Sequence, residues 1–166
     1  MESKSTGPGP ARDVVLQPEE GDSWWQPVPA NGYVTNKLTP ENWSGSVSCG
    51  IQVVASHGFV RLHSHTHHHE VVCVFSGLGR AVVNGVSHVM QPGTVIGLPP
   101  NVEHTFINDG ETELGFFWLI EPHGLAEFFR SIGRARTSPE APQPFARPGD
   151  VLAIEARTGF NIKSTE

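Results

Sequence analysis

The stretch GFVRLHSHTHHHEVVCVFSG, residues 58–77, decides how the rest of the chain reads. In an extended strand, side chains two positions apart project from the same face, so His63 and His65 stand side by side. Glu70 follows after a short connection and opens the apolar run Val71-Val72-Cys73-Val74-Phe75, which predicts the next strand. Much later, His104 opens another strand, Thr105-Phe106-Ile107, just behind the turn Pro99-Pro100-Asn101. Three imidazoles and a carboxylate at adjoining strand ends are therefore expected to close around one divalent metal. Mixed nitrogen and oxygen donors suit iron, manganese, nickel, copper or zinc better than calcium or magnesium.

Working outward from that stretch, short strands are predicted over 46–55, 59–65, 71–76, 80–84, 86–90, 94–98, 104–108 and 113–121. Turn signals separate them at Ser76-Gly77, Asn84-Gly85, Pro92-Gly93 and Asp109-Gly110. Asn84-Gly85 is the strongest, because both residues accept the positive φ of a two-residue hairpin turn. Many short strands at regular spacing predict an all-β sandwich or barrel over 46–122. Leu125, Phe128, Phe129 and Ile132 recur at helical spacing, predicting one C-terminal amphipathic helix over 124–135 against the barrel exterior.

The flanks are less patterned. Residues 1–12 are small, polar and rich in glycine and proline, and a mobile tail is expected. Residues 13–45 form an arm of short apolar pieces broken by prolines. It either packs outside the barrel or supplies a dimer-forming strand, and Trp24 and Trp25 bring area enough for both. Residues 123–166 hold the helix and a proline-rich extension, within which 150–156 reads as either helix or strand.

Composition narrows the functional classes. A chain of 166 residues suits one domain with a single core, and 18 glycines with 14 prolines favour turns and short strands over long helices. A net charge of −6 without a basic block argues against nucleic acid, whose phosphates would be repelled. Two cysteines, Cys49 and Cys73, make no disulfide framework, and no stretch approaches the apolar length of a membrane span. A cytoplasmic protein with a small-molecule substrate is expected, with no membrane partner and with homodimerisation through the arm.

The run Gly58, His63, His65, Glu70, Gly77 resembles the first motif of the cupin family, G-x5-H-x-H-x3-4-E-x6-G, with its first gap one residue short. The run Gly93, Pro99, Asn101, His104, Asn108 resembles the second, G-x5-P-x-G-x2-H-x3-N, with Asn101 in place of glycine. Asparagine is among the few residues that tolerate positive φ, so the turn is expected to survive. The resemblance implies a double-stranded β-helix, the cupin jelly-roll barrel, with one metal in its lumen held by His63, His65, Glu70 and His104. His65 and His67 also form an H-x-H pair, but only Glu70 keeps the six-residue gap to Gly77. His67, His68 and His69 are then a rim cluster or, in one case, a proton shuttle.

Strand parity proposes a pocket. Arg61 and Phe59 share a face with His63 and His65, Val72 and Val74 with Glu70, and Phe106 with His104, with Asn108 a further candidate. Arg61 is open to two roles, a clamp on a substrate oxygen or a strand-edge partner for surface acids. Alternation is lost in Phe116-Phe117-Trp118, so either Phe117 or Trp118 completes the wall, and Trp118 is placed there with Arg61, Val72, Val74 and Phe106. Four protein ligands on an octahedral ion leave two positions for a chelating substrate or a substrate oxygen plus dioxygen, whereas tetrahedral zinc would be nearly saturated. The expectation is a dioxygenase, similar to small flavonol- or diketone-cleaving cupins, with iron favoured and manganese, nickel, cobalt, copper or zinc as alternatives. Glu70 is expected to act as ligand and as catalytic base. The alternatives are a non-redox isomerase, cyclase or lyase, and a non-catalytic binding module.

Overall fold

Two antiparallel sheets pack face to face, and the turn signals bound most of their strands. The computed structural model describes residues 13–162, and the tail expected over 1–12 lies outside them. The strands are β1 (Asp22–Trp25), β2 (Tyr33–Leu38), β3 (Ser48–Val54), β4 (Phe59–His65), β5 (His69–Ser76) and β6 (Gly79–Val83). They continue with β7 (Val86–Met90), β8 (Val95–Leu98), β9 (His104–Ile107), β10 (Leu114–Glu121), β11 (Arg134–Ala135) and β12 (Phe160–Ile162). Helix α1 (Leu125–Ile132) follows β10, and helix α2 (Val151–Thr158) precedes β12. One sheet runs β11-β1-β2-β3-β10-β5-β8 and the other β12-β4-β9-β6-β7, a jelly-roll of the expected class. No helix among the described residues is long and apolar enough to cross a membrane.

The hairpin between β6 and β7 turns at Asn84 (φ 47°) and Gly85 (φ 81°), the pair of positive φ angles that its sequence announces. Gly77 ends β5 at φ 79°, where a Cβ would sit 2.2 Å from the Glu113 carbonyl oxygen, so no larger residue fits.

The barrel interior is filled from both sheets by Val72, Val74, Ala81, Met90, Leu98, Phe106, Leu114 and Phe116. Fully burying each of the larger of these contributes about 1.5–3 kcal/mol. On β10 the even-numbered residues Phe116, Trp118 and Ile120 turn inward, while Phe117 and Leu119 are half-buried on the outer face. Trp118 fits because β3 presents Gly50 opposite it, where a Cβ would lie 2.7 Å from the indole. It joins a second cluster beneath α1, with its ring 5.6 Å from that of Phe129.

The flanks take defined places in the fold. The arm is part of the large sheet: β2 pairs antiparallel with β3, and β1 with β2. Trp25 is buried beside Tyr33, and the Arg136 guanidinium lies over both rings, so the buried part of the arm's apolar area is covered within the chain. In the C-terminal extension, the segment open to helix or strand forms helix α2, and Gly159 in the left-handed region (φ 75°) reverses the chain from α2 into β12.

Candidate metal centre

Strand pairing assembles the four candidate ligands. In the β4–β9 register His63 lies opposite His104, and their ring centroids are 4.1 Å apart. Glu70, near the start of β5, reaches them from the other sheet: its Oε2 lies 2.9 Å from His65 Nε2 and 3.2 Å from His104 Nε2. One donor atom from each of His63, His65, Glu70 and His104 falls within 4.8 Å of the others, and all four residues are buried.

Two of the rings are fixed by the backbone. His63 Nδ1–H donates to the Arg61 carbonyl at 2.8 Å, and His104 Nδ1–H to the Val102 carbonyl at 2.9 Å. A carbonyl only accepts, so each bond places the proton on Nδ1 and leaves Nε2 as a lone-pair donor toward the centre. Burial, reinforced by the neighbouring His104 and His65, pushes the His63 imidazole well below its ordinary value and keeps it neutral. Burial on its own would raise the Glu70 carboxyl, but the adjoining His104 and His65 outweigh it and hold the group well below the usual carboxylate range. A neutral His63 beside an ionised Glu70 is the pair of protonation states a cation needs.

With its proton on Nδ1, His104 Nε2 faces a Glu70 oxygen at 3.2 Å with no hydrogen between the two lone pairs, an arrangement that a coordinated cation relieves. Three nitrogens and a carboxylate oxygen suit a single divalent transition metal.

The remaining histidines divide. His67 and His69 are exposed, as a rim requires, but His68 is turned inward. It sits under the C-terminal chain, where a Cβ on Gly124 or on Gly159 would come within 3.0 Å of its ring. Burial, then the charges of His65 and His67, lower the His68 imidazole. His57, His88 and His123 are exposed.

A cavity of about 60 Å³ opens beside the ligands, with His63 and Glu70 on its wall. Of the expected pocket residues, Arg61 and Phe106 line it, with Phe59; Val72, Val74 and Trp118 do not, being packed into the core behind it. Asn108 is buried away from it, bonded to backbone. Further parts of the wall come from Gln26, Gln52 and Arg147, from α1 through Leu125, Phe128 and Ile132, and from Phe160. Helix α1 therefore lays its apolar stripe over the mouth of the barrel, where its exterior was expected. Arg61 Nε is buried without a hydrogen bond, and no acid among the described residues pairs with the guanidinium.

A family model described as "Cupin domain" matches residues 50–120, which span all four ligands. No curated protein matches the chain. Among solved structures, a predicted oxalate decarboxylase from Thermotoga maritima aligns with a TM-score of 0.60 at 20% identity, covering 66% of this chain and all of its own. The polyketide cyclase RemF from Streptomyces resistomycificus aligns at 0.61 with 14% identity, over 68% of this chain and 81% of its own. KdgF from Halomonas sp. aligns at 0.58 with 16% identity, over 68% and 96%. At such identities these likenesses concern the fold. Residues 50–120, which carry both motifs and the buried His-His-Glu-His cluster, match the cupin domain.

Proposed function

We propose that the protein is a metal-dependent dioxygenase acting on a small, largely apolar enol or phenol that chelates through neighbouring oxygens, with iron as the metal. The observation that carries this reading is the chemistry of the cavity wall. Among the described residues lining it, the one carboxylate is Glu70 and the one imidazole is His63, and both belong to the ligand set. An isomerase that takes a proton from one substrate atom and returns it at another would have to route both transfers through Glu70, since among the described residues the wall carries no second acid or base. Oxygenation of an enolate asks only that one proton leave.

Bound at the four ligands, a ferrous ion supplies Lewis acidity toward the enol oxygen and the redox couple through which dioxygen reacts. Glu70 is the carboxylate placed to accept the enol proton. Arg61, unpaired on the wall, faces an anionic oxygen of the substrate with its guanidinium. Phe106, Phe128 and Phe160 offer aromatic surface to a planar body and keep water from it.

The test is an oxygen-electrode panel on protein reconstituted anaerobically with iron, manganese, nickel, cobalt or copper, supplied with 1,3-dicarbonyl, flavonol and catechol compounds. Uptake of one dioxygen per substrate consumed, with both labelled atoms recovered in product, is expected with iron. Anaerobic isomerisation or cyclisation of such a compound, without uptake under any metal, would replace this reading with a non-redox one.

A further inference from the structure

The three histidine ligands are not held alike. His63 and His104 each donate Nδ1–H to the carbonyl two residues earlier, whereas His65 Nδ1 is buried with no hydrogen-bond partner. Imidazole χ2 is a broad torsion, and the 2.9 Å bond between His65 Nε2 and Glu70 fixes only the inner edge of the ring, so its outer edge is oriented by what it packs against. For His65 that neighbour is Phe160, edge-on with centroids 4.5 Å apart and planes at 88°. His68 lies further off, at 6.0 Å.

The contact is built by the C-terminal strand. β12 pairs antiparallel with β4 so that Phe160 lies opposite His65 and Asn161 opposite Ser64. Asn161 Nδ2–H donates to Thr66 Oγ1 at 2.7 Å, and the Thr66 amide to the Gly159 carbonyl at 3.2 Å. Phe160 is itself held flat against Phe128 of α1, at 4.2 Å and 10°, and lies nearly parallel to His63 at 5.9 Å. It is 4% exposed and forms cavity wall directly beside the ligands.

We propose that β12 is a working part of the metal centre: Phe160 is a positioning residue that holds the His65 ring in its ligating orientation and closes that flank against water, so that metal retention depends on docking of the C-terminal strand. Ring packing does for His65 what a backbone carbonyl does for His63 and His104. The inference rests on metal binding by the four ligands. Outer groups that orient ligands are worth about 10–100-fold in metal affinity, which sets the expected size of the effect.

The test loads the full chain with Co(II) and follows three readouts: the cobalt absorption bands, the paramagnetically shifted ring-proton resonances of the histidines, and the rate of cobalt loss to excess EDTA. Phe160→Leu keeps apolar bulk without a ring, and Phe160→Tyr keeps the ring. Phe160→Leu is expected to speed cobalt loss about tenfold or more and to move the His65 resonances most, with Phe160→Tyr restoring slow exchange. Phe160→Met serves in the same role should the leucine variant not fold. Wild-type loss rates and unmoved His65 resonances in the ringless variants, with the wild type binding cobalt normally, would overturn the inference alone. A wild type that takes up no cobalt would instead overturn the metal site on which it rests.

Discussion

Asn101 donates its backbone N–H to the carbonyl of His65 at 2.8 Å, tying the turn that precedes one ligand to the strand that carries another. Asn101 stands where the family pattern has glycine, and it adopts φ 65°. The left-handed conformation costs an ordinary residue roughly 1–2 kcal/mol and asparagine less, which is why this departure leaves the geometry intact. Asn101→Gly is therefore expected to preserve Co(II) affinity and to change stability by less than about 1 kcal/mol. Asn101→Val, β-branched at positive φ, should lower stability by about 1–2 kcal/mol or more and weaken cobalt binding as His104 shifts. Thermal melts and cobalt titrations of the two variants check this, and equal behaviour would show that the φ angle does not matter.

Loss of one ligand should separate the metal site from its histidine-rich rim. His104 is fully buried and has a Glu70 oxygen 3.2 Å from its Nε2, whereas His67 is exposed. His104→Ala is expected to weaken divalent-metal binding by more than about 100-fold, beyond the range seen for outer-shell changes. His67→Ala should bind as the wild type does. Elemental analysis after dialysis against a metal buffer gives the answer, and full occupancy in His104→Ala would remove His104 from the ligand set.

With the metal chelated away, acid should destabilise the fold earlier than in an ordinary protein. The folded His63 imidazole lies well below 6.5, so under that pH the unfolded chain binds a proton that the folded chain refuses. Stability then falls as pH falls, with a slope approaching about 1.4 kcal/mol per pH unit for one such group. Glu70 acts with the same sign at lower pH: its folded value lies below the 4.5 of a free carboxyl, so its contribution is present above 4.5 and lost as pH drops further. Melts of the apo protein between pH 7.5 and 4 should therefore show a falling midpoint from about 6.5 downward. A flat midpoint between pH 7 and 5 would mean that His63 takes up its proton freely when folded.

Much of this centre was legible because a strand has a period of two. His63 and His65 share a face by that rule, and Glu70 and His104 each stand beside turn signals that bound their strands well. Parity fails on depth. It says that Val72, Val74, Phe106 and Trp118 turn inward, but a barrel has a packed floor and an open mouth, and only contact across sheets decides which residue meets the cavity. Phe160 was hidden for a different reason: β12 spans Phe160–Ile162, too short for a pattern, and its partner strand lies far back in the chain. His68 sits in the connection between β4 and β5, where no period applies, and is buried only because the segment around Gly159 returns over it.

Asn108 ends the second motif and shows that membership of a motif is not membership of the site. Its side chain is 1% exposed and donates to the carbonyls of Val54 at 3.1 Å, Ala55 at 2.9 Å and Thr112 at 2.8 Å, while its Oδ1 accepts the Gly110 amide at 3.0 Å. It thereby joins the ends of β3, β9 and β10, remote from the four ligands. Asn108→Ala leaves an amide and several carbonyls with one partner fewer, and each such loss in a buried setting costs about 1–3 kcal/mol before water enters. A net destabilisation of about 2–4 kcal/mol is expected, since part of the loss is recovered by hydration. Co(II) affinity measured well below the melting temperature should stay within about threefold of wild type, far less than the 10–100-fold that follows loss of an outer-shell partner. Asn108→Asp is the stricter variant: it keeps the acceptor for Gly110 but offers nothing to the three carbonyls, so it should be as destabilising as alanine or more so. A variant that keeps its stability and loses metal would place Asn108 in the site after all.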